Sequence, residues 1–389
     1  MASMLRGHRA ETRMCENLHR PRRTGAPESA RSGAEPAHGR VGSRAGPYRR
    51  RVTSTEPLPW RLAMDRALYG PDGFFVAGTG PAGHFRTSVH ASPVFASCLL
   101  RLLTSLDAAL GHPARLDVVD VGAGRGELLR SVALAMAVPL AERVRLIAVE
   151  KAPRPHDLPA KIEWRAEIPP GVTGLLMATE WLDNVPLDLA VRAEDGWRCL
   201  LVDPATGEES TGGPVSVEDA AWLDRWWPPA GPDRTGARAE IGRSRDEAWA
   251  AAVAHLDRGL ALAVDYGHRR ASRPVDGTLT GYRGGRQVPP VPDGSCDVTA
   301  HVAIDSVASA GERVARCAYT LVSQREALRA LGADGGRPPL SLASRDPAGY
   351  VRALADASAV AELTDPAGLG GHWWLRQPVG LAPEPLVAR

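Results

Sequence analysis

The run Asp120-Val121-Gly122-Ala123-Gly124-Arg125-Gly126-Glu127 carries the strongest chemical signal in the chain. Glycines let a backbone turn sharply and approach a ligand with no side chain in the way. A helix opening on such a turn offers unpaired N–H groups to the same ligand. The spacing is G-x-G-x-G, and Glu127 stands where the dinucleotide fingerprint G-x-G-x-x-G has its last glycine. A pyrophosphate site, and with it a nicotinamide oxidoreductase, is therefore disfavoured. Glu150 ends the next apolar run. A carboxylate there accepts two hydrogen bonds at once and suits the vicinal hydroxyls of a ribose. Further on, Thr179-Glu180-Trp181-Leu182-Asp183-Asn184-Val185-Pro186 sets two carboxylates, Glu180 and Asp183, three residues apart. At the end of a strand they would converge in the crevice where ligands of open α/β sheets bind. The alternative for Asp183 is a capping role in the segment that follows.

These residues need strand ends to carry them. Leu116–Val121, Val144–Glu150, Ile162–Trp164 and Gly174–Glu180 read as buried strands, with a helix from Glu127 to about Ala137 between the first two. Strands alternating with helices imply a mostly parallel sheet covered on both faces. Ligands of such sheets bind beyond the carboxyl ends of the strands, where all three signals fall. Upstream, Pro59–Tyr69 reads as a helix stopped at Gly70, and Ser92-Pro93 opens a second that runs to about Leu110. Downstream, Leu187–Arg192 and Trp197–Asp203 alternate like a hairpin. Residues 204–258 read as a helical insertion after the fourth strand, with helices near Val217–Trp227 and Ser244–Leu256. Leu260–Asp265, Tyr319–Val322 and His372–Gln377 are later strands, and Ser323–Leu331 is a helix. Trp222, Trp226 and Trp227 are read as packing, and Trp373-Trp374 as one ring on each face of the last strand.

The chain of 389 residues has a net charge of +2 that is unevenly spread. Residues 1–55 hold twelve arginines against four glutamates. That stretch has almost no large apolar side chains and cannot repay its ordering entropy, so it is expected to be a disordered basic tail. Val52 is a candidate alternative start, and an Arg-rich transit peptide is opposed by the glutamates and prolines. Residues 56–389 are expected to form one domain, with 56–113 as an N-terminal helical and loop segment. Lysine occurs only at Lys151 and Lys161, which fits a GC-rich genome better than a nucleic-acid surface, so no nucleic-acid partner is expected. No apolar run approaches the ~20 residues of a membrane span, so no membrane insertion is expected. The five cysteines are scattered singly, which argues for a reducing, cytoplasmic setting and against a cysteine zinc site. The histidines show no metal-binding spacing, and no metal is expected.

Four blocks in order resemble the MidA-type family of S-adenosylmethionine-dependent methyltransferases, which includes a mitochondrial arginine methyltransferase of complex I assembly. They are Tyr69–Phe75 with Gly80–Ser88, the glycine loop, the Glu180–Pro186 block, and Asp265-Tyr266-Gly267 with Gly277–Tyr282 and Asp297–Val302. The resemblance covers about residues 57–380. It implies an α/β, Rossmann-like class I methyltransferase fold and S-adenosyl-L-methionine as cofactor. Asp120, Gly122, Gly124 and Gly126 then form the cofactor loop and Glu150 holds the ribose. Gly83, Phe85, Thr87 and Ser88 close over the pocket. A protein substrate is implied, with arginine as the methylated side chain and Glu180 and Asp183 as catalytic residues. The chain has His84, Val89-His90 and Thr179 where the family usually has Asp, Pro-Glu and Asn. These changes keep open a non-catalytic assembly factor that binds the cofactor, or a small-molecule methyltransferase.

Overall fold

The structure is a computed structural model describing residues 56–77, 88, 93–228 and 235–381, all within the unit Thr53–Arg389. The expected tail over residues 1–55 lies outside the described residues.

Seven strands form the main sheet: β1 (Leu116–Val121), β2 (Val144–Val149), β3 (Ile162–Arg165), β4 (Val172–Thr179), β5 (Leu256–Asp265), β6 (Thr320–Ser323) and β7 (Trp373–Val379). Their order is β6-β7-β5-β4-β1-β2-β3. Strands β1 to β5 are mutually parallel, and β7 runs antiparallel to both β5 and β6. Every residue of β1 is buried, as a central strand covered on both faces must be. One face packs against α2 (Pro93–Ala109) and α3 (Glu127–Ala135) through Leu99, Leu102, Leu106, Leu129 and Val132. The other packs against a pair of helices after the insertion, through Trp249, Val253, Val307 and Ala308. The chain leaves β1 toward β2 and returns on the other side at β4. The crevice at this reversal, beyond the strand ends, is the ligand position of open α/β sheets.

Helix α1 (Trp60–Tyr69) precedes this frame and ends at Gly70. It buries Trp60, Met64 and Leu68 against Leu187 and against Leu189 and Leu200 of the hairpin formed by Asp188–Ala193 and Gly196–Val202. The hairpin belongs to a second sheet with Leu58–Pro59, Glu209–Pro214 and Arg238–Ile241.

This corrects the expectation of a helical insertion over 204–258. Only α4 (Val217–Trp226) lies on the second sheet, where Trp222 and Trp227 pack with Trp197 and Ile241. Helix α5 (Arg243–Ala254) belongs to the main sheet instead. Glu209–Pro214 is an exposed edge strand with no apolar alternation, so its sequence carries no strand signal. Helix α6 (Ile304–Ala315) buries the small residues Ser306, Ala308, Ala310 and Gly311 and packs close to α5. A Cβ on its Gly311 would lie 2.5 Å from Trp249 Nε1. Trp374 enters the core on one face of β7 and Trp373 packs on the other, as the alternation of a strand requires.

Candidate functional site

A cavity of about 510 Å³ lies beyond the ends of β1, β2 and β4. Asp120, Gly122, Gly124, Glu150, Glu180 and Asp183 all line it, so one crevice gathers six of the residues picked out from sequence.

The loop after β1 is shaped by backbone conformation. Gly122, Gly124 and Gly126 have φ of +72°, +58° and +80°, a region that side chains disfavour. Gly122 and Ala123 donate their N–H groups to the Val149 carbonyl at 3.0 and 3.2 Å, which pins the loop to the end of β2. Gly124 donates to Glu150 Oε2 at 3.0 Å. The other Glu150 oxygen accepts from the N–H groups of Lys151 and Ala152 at 2.7 and 3.2 Å. Glu150 thus fixes the loop and faces the cavity. Asp120 is buried on the cavity wall, and burial, with Glu127 and Glu150 adding repulsion, pushes its carboxyl up to about 8.

Two of the expected cofactor residues do not line the cavity. Gly126 caps α3 in the left-handed conformation and is not on the cavity wall, and a Cβ there would lie 2.6 Å from Leu158 Cδ1. Its glycine is required by the helix start. Ser88 is also off the wall and fully buried. Its N–H donates to Glu180 Oε1 at 3.0 Å and its hydroxyl to Gln324 Oε1 at 3.2 Å. It therefore holds a carboxylate. Gly83, Phe85, Thr87, His84 and His90 lie outside the described residues.

Glu180 follows β4 with φ +51°, unusual for a residue with a side chain, and its N–H donates to the Val264 carbonyl at 2.8 Å. Strain of this kind concentrates at functional positions. Burial pushes the Glu180 carboxyl up to about 8, opposed by the Ser88 N–H and reinforced by Asp183. Asp183 sits in the short turn Leu182–Asn184. Its Oδ2 accepts from Thr299 Oγ1 at 2.7 Å and from the Tyr266 hydroxyl. Its Oδ1 is buried with no partner among the described residues. Burial raises the Asp183 carboxyl above the usual carboxylate range. The turn is capped by Asp265, whose Oδ2 accepts from Leu182 N–H at 3.0 Å and Asp183 N–H at 3.3 Å. Arg245 is also buried and donates to the carbonyls of Asp183, Val185, Ala300 and His301, locking the same turn from behind.

Sequence reading gave no role to Asp265, Tyr266, Thr299 or Arg245. The first three stood inside the blocks of the resemblance, and Arg245 left no local signal. Tyr69 and Phe75 also line the cavity, with Lys151 Nζ 4.1 Å from the centre of the Tyr69 ring. Glu167, just past β3, lines it without any motif to announce it. Among the described residues no group of three or more His, Cys, Asp and Glu side chains is arranged to hold a metal ion. Among them, too, no helix is long and apolar enough to cross a membrane.

A mostly parallel sheet in this order, with a glycine loop after β1 and a carboxylate after β2, has the methyltransferase fold. Residues 98–321 match the family described as "putative S-adenosyl-L-methionine-dependent methyltransferase", and the chain belongs to that family. It is similar to the mitochondrial protein arginine methyltransferase NDUFAF7 homolog of Drosophila melanogaster. The two are 26% identical over 70% of each chain. It is also 27% identical to the mitochondrial protein arginine methyltransferase NDUFAF7 of Danio rerio, over 76% of this chain and 78% of the relative. A Burkholderia thailandensis protein crystallised with S-adenosyl-homocysteine shares the fold. Its TM-score is 0.70 and its identity 24%, over 86% of this chain and 91% of that one. The MidA-type resemblance holds, the activity is methyl transfer, and the cofactor is S-adenosyl-L-methionine. The cavity suits that cofactor: Gly122 and Gly124 of its loop line it, and a strand-end carboxylate, Glu150, stands beside them. The expected cytoplasmic setting is overturned, because both relatives are named as mitochondrial proteins. Unpaired cysteines report the redox state of a compartment, not its address.

Proposed function

We propose that this methyltransferase acts on arginine side chains of a protein, with Glu180 and Asp183 as its catalytic carboxylates. Asp120, Gly122, Gly124 and Glu150 hold the cofactor, which supplies a methyl group on a cationic sulfonium. The observation that carries the reading is the buried Oδ1 of Asp183, an acceptor with no partner on the wall of the cofactor cavity. An unpaired buried acceptor is costly unless a ligand satisfies it. A guanidinium presents five donors in a planar fork and suits two neighbouring carboxyl groups. The arginine methyltransferase relatives, at 26% and 27% identity, support the same substrate class.

Methylating arginine requires a proton acceptor. A guanidinium with a pKa above ~12 keeps its proton at neutral pH and must lose it as the new bond forms. Glu180, pushed up to about 8, sits near the range where a general base works best. A docking cation favours the charged form of both carboxylates. Glu180 then accepts the proton while Asp183, held by Tyr266 and Thr299, keeps the guanidinium in place.

The test is incubation of the protein with isotope-labelled S-adenosylmethionine and protein extract, followed by mass spectrometry of labelled residues. Label on arginine supports the reading. Label only on small molecules, or none with cofactor affinity intact, defeats it. Glu180→Gln should lower turnover by ~10²–10⁴ with cofactor affinity retained.

A further inference from the structure

His372 is unused by the mechanism above, yet it is built against it. It immediately precedes β7, whose first residue Trp373 pairs with Asp265, so it stands at the carboxyl ends of the parallel strands. Its backbone is pinned on both sides. The N–H donates to Leu369 at 3.1 Å, and the carbonyl accepts from the Gln324 N–H at 2.7 Å. The residue is 8% exposed. Its Nδ1 is buried without a hydrogen-bond partner among the described residues and lies 3.9 Å from Glu180 Oε1. Its ring leans on Tyr266, centroid to centroid 5.5 Å, and the Tyr266 hydroxyl is bonded to Asp183. One fixed imidazole thus touches the surroundings of both carboxylates.

We propose that His372 is a positioning residue that shares one proton with Glu180. When a cation docks on Glu180, the carboxyl O–H bond breaks and an Nδ1–H bond forms. Glu180 becomes a carboxylate facing the cation, His372 becomes an imidazolium behind it, and no proton leaves the protein. The distance of 3.9 Å is too long for a hydrogen bond, but catalytic contacts are often long before the site is filled. The charges around the pair favour this division. Burial first, and then repulsion from Asp183, disfavour a lone Glu180 carboxylate, so the proton rests on Glu180 in the empty site, and Glu180 in turn raises the neighbouring Asp265 and Asp297. Burial, with His301 adding repulsion, pushes the His372 imidazole down to about 4 until a cation arrives. A proton held in this way belongs to the pair rather than to either group.

The proposal rests on the reading of Glu180 as the group that meets a cationic substrate. The experiment is calorimetric titration of the full chain, saturated with S-adenosylhomocysteine, with N-methylguanidinium. It is repeated in buffers of different ionisation enthalpy, which counts the protons released. The parent should release almost none near neutral pH, with affinity nearly flat between pH 6 and 8. His372→Gln should release about one proton, with affinity rising roughly tenfold per pH unit below 8. Glu180→Gln should release none in either background. In the parent, the isotope-labelled imidazole signal of His372 should move to its protonated position on saturation, a readout that needs no variant to fold. Release of one proton by the parent, or an imidazole signal that stays neutral, overturns the shared proton. It leaves the arginine reading intact if arginine is labelled in the transfer assay. Absence of any binding of the probe overturns the shared proton, and it overturns the arginine reading as well when the transfer assay labels no arginine.

Discussion

Asp265 holds Asp183 in place: its carboxylate, at the end of β5, accepts the Leu182 and Asp183 N–H groups at 3.0 and 3.3 Å. The direction of a candidate catalytic side chain on one strand end is thus set by the neighbouring strand. Asp265→Ala should strand two buried N–H groups and lower stability by ~1–3 kcal/mol. If Asp265 positions Asp183, turnover at a temperature where the variant is fully folded should also fall, with cofactor affinity retained. Unchanged turnover would separate the turn from catalysis. Thermal melts and methyl-transfer assays on the same samples check both.

Gly124→Val should abolish cofactor binding in calorimetric titration. The position has φ +58°, which a β-branched residue resists, and its Cβ would meet only Glu127 Oε2, at 3.3 Å. The obstacle is therefore the backbone conformation and the new side chain in the cavity rather than a clash with the core. Binding as tight as the parent's would show that the loop is not the cofactor loop.

Gly126→Ala should behave differently. Its Cβ would meet Leu158 Cδ1 at 2.6 Å, and φ is +80°. Stability should drop by on the order of 1 kcal/mol or more, while the folded fraction binds cofactor with near-parental affinity. A selective loss of affinity at full stability would return Gly126 to the cofactor site.

Glu150→Ala removes the partner of the Gly124 N–H as well as the proposed ribose contact. Hydrogen bonds to a charged group are worth ~1.5–3 kcal/mol, so cofactor affinity should fall roughly ten- to hundredfold. Calorimetric titration with S-adenosylmethionine measures the loss, and a change of less than twofold would remove Glu150 from the cofactor site.

The stability of the cofactor-free protein should depend on Asp120 in a defined direction. Its carboxyl is raised from 3.8 to about 8 in the folded chain. The stability tied to its neutral form is therefore complete below about 4, where the unfolded chain is also protonated, and is lost as pH rises through about 8. Asp120→Asn has no such loss. Between pH 5 and 8 the melting temperature of the parent should fall more than that of Asp120→Asn. Parallel curves would show that Asp120 is ionised in the folded protein.

The sequence by itself determined the features that are local in the chain. Leu116–Val121 is an unbroken buried run because β1 is covered on both faces, and the glycines after it mark positions of positive φ. Glu150, Glu180 and Asp183 were legible because each follows a strand, and strand ends in such a sheet face the ligand. What only the tertiary structure decided is how those ends are supported. Asp265 is 82 residues from Asp183 and Thr299 is 116 residues from it, while Arg245 lies on a helix and His372 just before β7, neither within a motif of its own. The second sheet was equally hidden, since Glu209–Pro214 is an exposed edge with nothing apolar to alternate. Periodicity records which side of an element is buried. It does not record which strands become neighbours, because that depends on register and packing across the whole chain.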